Sequence, residues 1–294
     1  MRTKREALYG WTFAMPVVLG FLIFVLAPMI VSFYLSLTDY RIVATPNYIG
    51  MDNYVKLFSG QDTFFYKSLF VTIYYVALSV PAQLIFSFLI AMVLNREIRM
   101  RALFRSILYV PTIVPAVAIS MIWLWLLNPD LGLINTILRN MGLPTSLWIF
   151  SEQSVIPSLV FMSLWTTGGT MVIFLAGLQG IPRHLFEAVD IDGGNGYHKL
   201  WYVTIPMMSP TIFFNLIMGI INGFQSFTSA YIMTQGGPNN GSLFYVFYLY
   251  REAFKFQNMG GACALAWILF IIVGIFTVLV FKSSDTWVFY EGGR

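Results

Sequence analysis

Charge is scarce in this chain of 294 residues. Only 10% of the residues are Asp, Glu, Lys or Arg, against 58% hydrophobic ones, and the mean hydropathy is +0.74. A soluble domain carries about 25% charged residues. A water-exposed surface cannot be assembled from so small a stock, so most of the outer surface must meet lipid. Cysteine is nearly absent. The single one, Cys263, lies in an apolar run, which excludes an internal disulfide framework and a multi-cysteine metal site and leaves a small packing residue. Histidine occurs twice, as His184 and His198, both in one polar loop. The net charge of +4 does not indicate nucleic acid, because the cations sit at the ends of apolar runs and form no patch or stripe.

Six segments contain no charged residue and are long enough to cross a bilayer: Trp11–Leu37, Leu69–Leu94, Ser106–Leu127, Val155–Leu178, Met207–Met233 and Gly261–Phe281. A hydrocarbon core about 30 Å thick needs about 20 residues of helix. The runs are too long for barrel strands and lack strict alternation. The sequence therefore predicts an all-α, polytopic membrane protein with six transmembrane helices, forming one domain over 1–294. MRTKRE at the start resembles the head of a signal peptide, but the apolar run behind it is too long and no small-x-small site follows, so it is read as a retained first span. Of the seventeen Lys and Arg residues, eleven fall on one side of this arrangement and six on the other. The richer side should be cytoplasmic, which puts both termini and the loops 95–105 and 179–206 inside.

The spans also lack what several transport and catalytic classes require. Proton-coupled carriers, pumps and voltage sensors place ionisable groups at depth, and none of the six runs holds one. Sodium coupling through backbone carbonyls stays open. There is no HExxH, no intramembrane aspartate pair and no Ser–His pairing within a span. Without a GxxxxGK loop the chain does not hydrolyse ATP by that route, and the GGNG of 193–196 follows no strand.

What the spans do contain is patterned neutral polarity. Thr72, Tyr75, Ser79, Gln83 and Ser87 step by three or four along the second helix and share a face. Asn215, Asn222, Ser226 and Ser229 do so on the fifth, with Gln225 at the margin, and the fourth carries Ser163, Thr166, Thr167 and Thr170. Such groups either line a wet cavity for a hydroxyl-rich ligand or bond between helices. Two Asn and a Gln exceed what packing needs, so the fifth-helix stripe favours the cavity. The expected substrate path is Asn215, Asn222, Gln225, Ser226 and Ser229, joined by Thr72, Ser79 and Gln83; Phe224, Phe227 and Tyr231 stand near it as candidate stacking rings. Gly219 and Gly223 form a GxxxG that suits close helix packing.

The loop between the fourth and fifth spans reads GLQGIPRHLFEAVDIDGGNGYHKLWYVTIPMMSP. Pro182 can open a helix, Ile181, Leu185 and Val189 form one apolar stripe, and Gly193 and Gly194 end it. A short amphipathic helix projecting from the membrane has nothing in lipid to bury that stripe against, which predicts a partner's groove. This segment resembles the EAA loop of binding-protein-dependent ABC importer permeases: Glu187, Ala188, Asp192 and Gly193 match, Val189 and Gly194 replace alanines, and Leu200, Val203, Ile205 and Pro206 fill the closing apolar and proline positions. YVPTIVPAVAISMIWLWLLNPDLGLIN (109–135) and TQGGPNNGSLFYVFYLYREAFKFQNMGGACALAWILF (234–270) look like the carbohydrate-uptake branch, and WVFYEG (287–292) is similar to the tail of a MalF/UgpA-like member of the permease pair.

The resemblance implies a transport subunit, not an enzyme, in a bacterial or archaeal cell membrane. It implies a second, MalG-like permease as pairing partner, two ATPase subunits that bind the ATP and Mg and drive alternating access, and an extracytoplasmic solute-binding protein that delivers sugar. The chain itself would need no cofactor or metal. Leu185, Glu187, Ala188, Asp190, Asp192, Gly193 and Pro206 would couple it to the ATPase. The alternative is a stand-alone sodium-coupled or facilitative sugar carrier.

Overall fold

The computed structural model describes residues 2–43 and 45–289; the last three residues of the WVFYEG tail lie outside them. Among the described residues there are helices, connecting loops and two isolated β-bridges, with no strand. Four helices are long and apolar enough to cross a bilayer: Tyr9–Ser36, Thr63–Asn95, Gly196–Phe224 and Met259–Trp287. Two bent pairs, Arg101–Ile113 with Ala116–Leu126 and Val155–Leu164 with Gly168–Gln179, raise the number to six if each pair is one span.

In chain order, α1 (Arg2–Phe21) continues through a π-helical turn, Leu22–Leu26, into α2 (Ala27–Ser36). Pro28 explains the turn: its ring crowds the carbonyl four residues back, at Phe24, and it has no N–H to give. Next come α3 (Asp52–Phe58) and α4 (Thr63–Asn95), then α5 (Arg101–Ile113) and α6 (Ala116–Leu126). The sequence predicts one continuous helix over 106–127, but α5 and α6 meet at 100°. Pro115 is the cause, since the residue before a proline is pushed out of the helical region; Val114 is extended at φ −70°, ψ 134°. A short helix, α7 (Leu133–Asn140), leads to α8 (Val155–Leu164) and α9 (Gly168–Gln179), which meet at 50°. At that break the hydroxyls of Ser163, Thr166 and Thr167 each donate to the carbonyl three residues back, in competition with the helix ladder.

The intervening loop carries α10 (Arg183–Ile191) and a single turn, α11 (Gly196–His198), which runs through a π segment, Lys199–Thr204, into α12 (Ile205–Phe224). Pro206 sets that segment as Pro28 does the first, its crowded carbonyl belonging to Tyr202. The fifth apolar run was expected to stay helical to residue 233; α12 instead ends at Phe224, with a π turn following at Ala230–Thr234. The chain closes with α13 (Tyr245–Tyr250) and α14 (Met259–Trp287).

The contacts divide the chain into two compact units. One runs through Thr63 and includes Leu249–Phe270; the other spans Phe64–Tyr248 and resumes at Ile271. In the first, Asn53 donates through Nδ2 to the carbonyls of Ser36 (2.8 Å) and Thr38 (2.9 Å), and the Trp267 indole N–H reaches Ser32 Oγ at 3.2 Å. Gly260 donates to the Tyr40 carbonyl at 3.0 Å, and a Cβ there would collide with the Thr38 carbonyl oxygen. In the second, the GxxxG packs as expected: a Cβ added at Gly219 or Gly223 would lie 3.0 Å from Val80 Cγ1 or Val76 Cγ2, so only glycine lets α12 come this close to α4.

Candidate functional site

Within the second unit, α4, α6, α8, α9, α12 and the segment after α12 enclose a cavity of about 410 Å³. Seven of the eight predicted path residues line it: Asn215, Asn222, Gln225, Ser226, Ser229, Ser79 and Gln83. Gln225 caps α12, and Ser226 and Ser229 lie beyond its end, so the expected continuous stripe is in fact a helix face joined to a turn. Thr72 is not in the lining. It is buried, donates to the Ser68 carbonyl and accepts the backbone N–H of Tyr245, both at 2.8 Å. Its hydroxyl is thereby spent on holding α4 to the start of α13. Of the three candidate rings, only Phe227 reaches the lining; Phe224 is buried against Phe276, with ring centroids 5.3 Å apart.

The cavity wall is a hydrogen-bonding surface. Gln83 Nε2 donates to Ser163 Oγ at 2.9 Å, and Ser163 in turn donates to the Val160 carbonyl at 2.6 Å. The Tyr75 hydroxyl faces those of Ser163, Ser79 and Ser226. Asn215 gives Nδ2 to the Thr211 carbonyl at 2.8 Å, which leaves its side-chain oxygen as an acceptor. Thr166, Thr170, Ser120 and Thr228 complete the polar lining. Periodicity groups the first two on the fourth span without placing them on the path, and no sequence pattern points to Ser120 or Thr228. No charged side chain is among the lining residues. Among the described residues, no group of three or more His, Cys, Asp or Glu could hold a metal ion.

The second candidate region is α10 with its flanks. Pro182 caps its start, and its end is a complete glycine stop: Gly193, at φ +75°, donates to the Asp190 carbonyl at 3.1 Å, and Gly194 to that of Val189 at 2.8 Å. The apolar stripe does not wait for a partner, which corrects the expectation of an empty stripe. Leu185, Phe186 and Val189 pack against this chain's own core of Ala91, Leu94, Phe174, Leu178, Ile181 and Met208. The side left open holds His184, Glu187, Ala188 and Ile191, the last 86% exposed. Asp190 is paired with Lys199 at 2.6 Å, Asp192 caps the helix, and Pro206 enters the first turn of α12. Asn195 caps the next turn, accepting from the N–H groups of Tyr197 and His198, while His198 Nδ1 receives the Asn195 N–H at 3.2 Å.

Residues 83–289, which hold α10 and all of the cavity lining except Tyr75, Ser79 and Val80, match the family described as the binding-protein-dependent transport system inner membrane component. The chain belongs to that family. As a member, it is a multi-pass inner membrane component and a transport subunit, not an ATPase. It is 39% identical over 292 residues to the probable ABC transporter permease protein YesP of Bacillus subtilis (strain 168), covering 98% of this chain and 94% of that one. It is 30% identical over 283 residues to the trehalose/maltose transport system permease protein MalF of Thermococcus litoralis, covering 95% and 94%. Its fold is that of a chain in the crystal structure of a bacterial alginate ABC transporter bound to an alginate pentasaccharide-loaded periplasmic protein, with a TM-score of 0.83 at 22% identity over 96% of this chain and 95% of that one.

Proposed function

We propose that this family member is one of two homologous permease subunits of an ATP-driven importer for a sugar or oligosaccharide. The observation that carries the reading is the cavity: about 410 Å³ lined by hydroxyl and amide groups and no charge. Amides supply both donors and acceptors, which match sugar hydroxyls, and Phe227 adds an aromatic ring to the lining. The permease relative named for trehalose and maltose supports the substrate class. Family membership favours this reading over a stand-alone carrier.

In the mechanism, a solute-binding protein delivers sugar on the outer side, and a MalG-like partner completes the path. Both termini and the 179–206 loop face the cytoplasm, where two ATPase subunits bind ATP and Mg. The open side of α10, with Glu187, Ala188 and Ile191, docks on one of them. Asp192 and Gly193 fix where the helix stops, and Leu185 ties it to the permease core, so closure of the ATPase dimer moves α10 and opens the cavity outward. Hydrolysis resets it. The test is uptake into liposomes holding the permease pair, the ATPase and the binding protein. Uptake should require ATP and persist without sodium or proton gradients; sodium-driven uptake in the absence of the ATPase would overturn the proposal.

A further inference from the structure

The loop between α6 and α8 is built with its polar side inward. Asn135 on α7 is buried; its Nδ2 donates to the carbonyls of Pro129 (2.9 Å) and Ser146 (2.8 Å), and its Oδ1 accepts the Trp148 indole N–H at 2.8 Å. One turn on, Arg139 donates through Nη2 to the carbonyls of Pro129 (3.2 Å) and Asp130 (3.0 Å). The opposite side presents Leu133, Ile137 and Met141, at spacings of four, with 47%, 48% and 67% of their surface exposed, and Leu131 extends it at 80%. A surface helix of a water-soluble protein faces the other way, apolar residues to the core and polar ones to solvent.

We infer that this loop is a membrane-surface anchor, with the apolar side of α7 seated in the headgroup–acyl boundary of the leaflet opposite the 179–206 loop. The occupant follows from two observations. Both ends of the loop run into apolar helices, α6 and α8, which are parts of the two bent pairs read as the third and fourth spans, so the loop stays close to the bilayer. Trp125, in the last turn of α6, is 60% exposed, as suits an aromatic ring at the membrane–water boundary. An apolar side of this kind, flanked by polar residues, is what a helix lying in the interface requires.

The experiment uses the assembled transporter in liposomes, with Cys263 replaced by serine and the other subunits free of reactive cysteine. Single cysteines at Leu133, Ile137 and Thr136 take a nitroxide label, with a label at Met121 on α6 as the lipid reference. Oxygen concentrates in the bilayer and a nickel chelate stays in water. The oxygen-to-nickel collision ratio should be severalfold higher at 133 and 137 than at 136, and close to that at 121. A ratio at 137 equal to that at 136 would put the helix in water and overturn the inference. So would shielding of 137 that arises only when the sugar-loaded binding protein is added, since that assigns the face to protein contact. Retained ATP-driven uptake by each labelled complex shows that it has folded; if the 137 variant fails this control, Met141→Cys takes its place on the same face.

Discussion

Gln83 on α4 and Ser163 on α8 are joined by a hydrogen bond of 2.9 Å across the wall of the cavity. They stand 80 positions apart in sequence and tie α4 to α8 at the polar lining. A lost hydrogen bond costs about 0.5–1.5 kcal/mol. Gln83→Ala should therefore weaken the apparent affinity for sugar roughly two- to tenfold in transport assays while leaving basal ATP hydrolysis near its starting rate. An unchanged affinity would remove Gln83 from the path.

Asn222 is exposed to the cavity and Ile220 is buried beside it. With Cys263 replaced by serine, Asn222→Cys should react with a water-soluble thiol reagent and be protected by substrate, and Ile220→Cys should stay inert. Equal inertness at both would make the polar lining interhelical glue.

Gly193 holds a left-handed conformation at φ +75°, with no atom near where its Cβ would sit. A side chain therefore meets only backbone strain, about 1–2 kcal/mol for a residue that avoids this region. Gly193→Val should loosen the end of α10, reduce the yield of ATPase copurified with the permease and lower transport per ATP hydrolysed. Gly193→Asn, which tolerates the conformation, should behave nearly as the native chain. Equal effects of the two would detach coupling from this helix stop.

The contact of Gly223 with Val76 gives a packing test. A Cβ at 223 would lie 3.0 Å from Val76 Cγ2, and overpacking typically costs about 1–3 kcal/mol. Gly223→Ala should lower the melting temperature of the purified complex, and Val76→Ala combined with it should recover much of the loss. Absence of recovery would point to a backbone effect of the glycine.

Lys67 Nζ lies 2.8 Å from Glu152 Oε1 and holds that carboxyl below its usual range, chiefly through the hydrogen bond and then through charge. A depressed folded pKa means stability that is present above the unfolded pKa and is lost as pH falls through the folded one. The tie between the start of α4 and the loop before α8 should thus persist from neutral pH down through the unfolded value of 4.5 and open below it. Both groups are exposed, so salt should weaken the effect. Glu152→Gln should flatten this part of the acid stability profile; an unchanged profile would mean the pair adds nothing.

The spans, the glycine stop at Gly193 and the approach at Gly219 and Gly223 were legible in sequence because each rests on local chemistry: apolar length, a residue without Cβ, a fixed spacing. The bend at Pro115 was not, because a proline in an apolar run is compatible with a continuous membrane helix whose neighbours satisfy the freed groups. Spacing put Thr72 on the same face as Ser79, and it does share that helix, but spacing carries no depth; Thr72 is sealed under Tyr245. Ser120 joins the cavity without any sequence signal, as a lone hydroxyl in an apolar run, and Thr228 falls off the expected helical stripe, the chain leaving the helix after Phe224. The burial of Leu185 and Val189 was hidden for a different reason. Part of the surface that receives them, Ala91 and Leu94 of α4, is remote in sequence, and periodicity shows an apolar side without showing what meets it.

That burial has a mechanical consequence. Packed side chains resist compression much as a molecular crystal does. Leu185, Phe186 and Val189 are half-buried and pack against the core that holds Ala91, Leu94 and Phe174. Under the proposed coupling, a force applied to the open side of α10 should therefore pass into α9 and reach the break at Trp165–Thr167, where the helix ladder is already interrupted. Thr166, within that break, lines the cavity, so on this proposal a push received outside the membrane is delivered to the wall of the polar chamber.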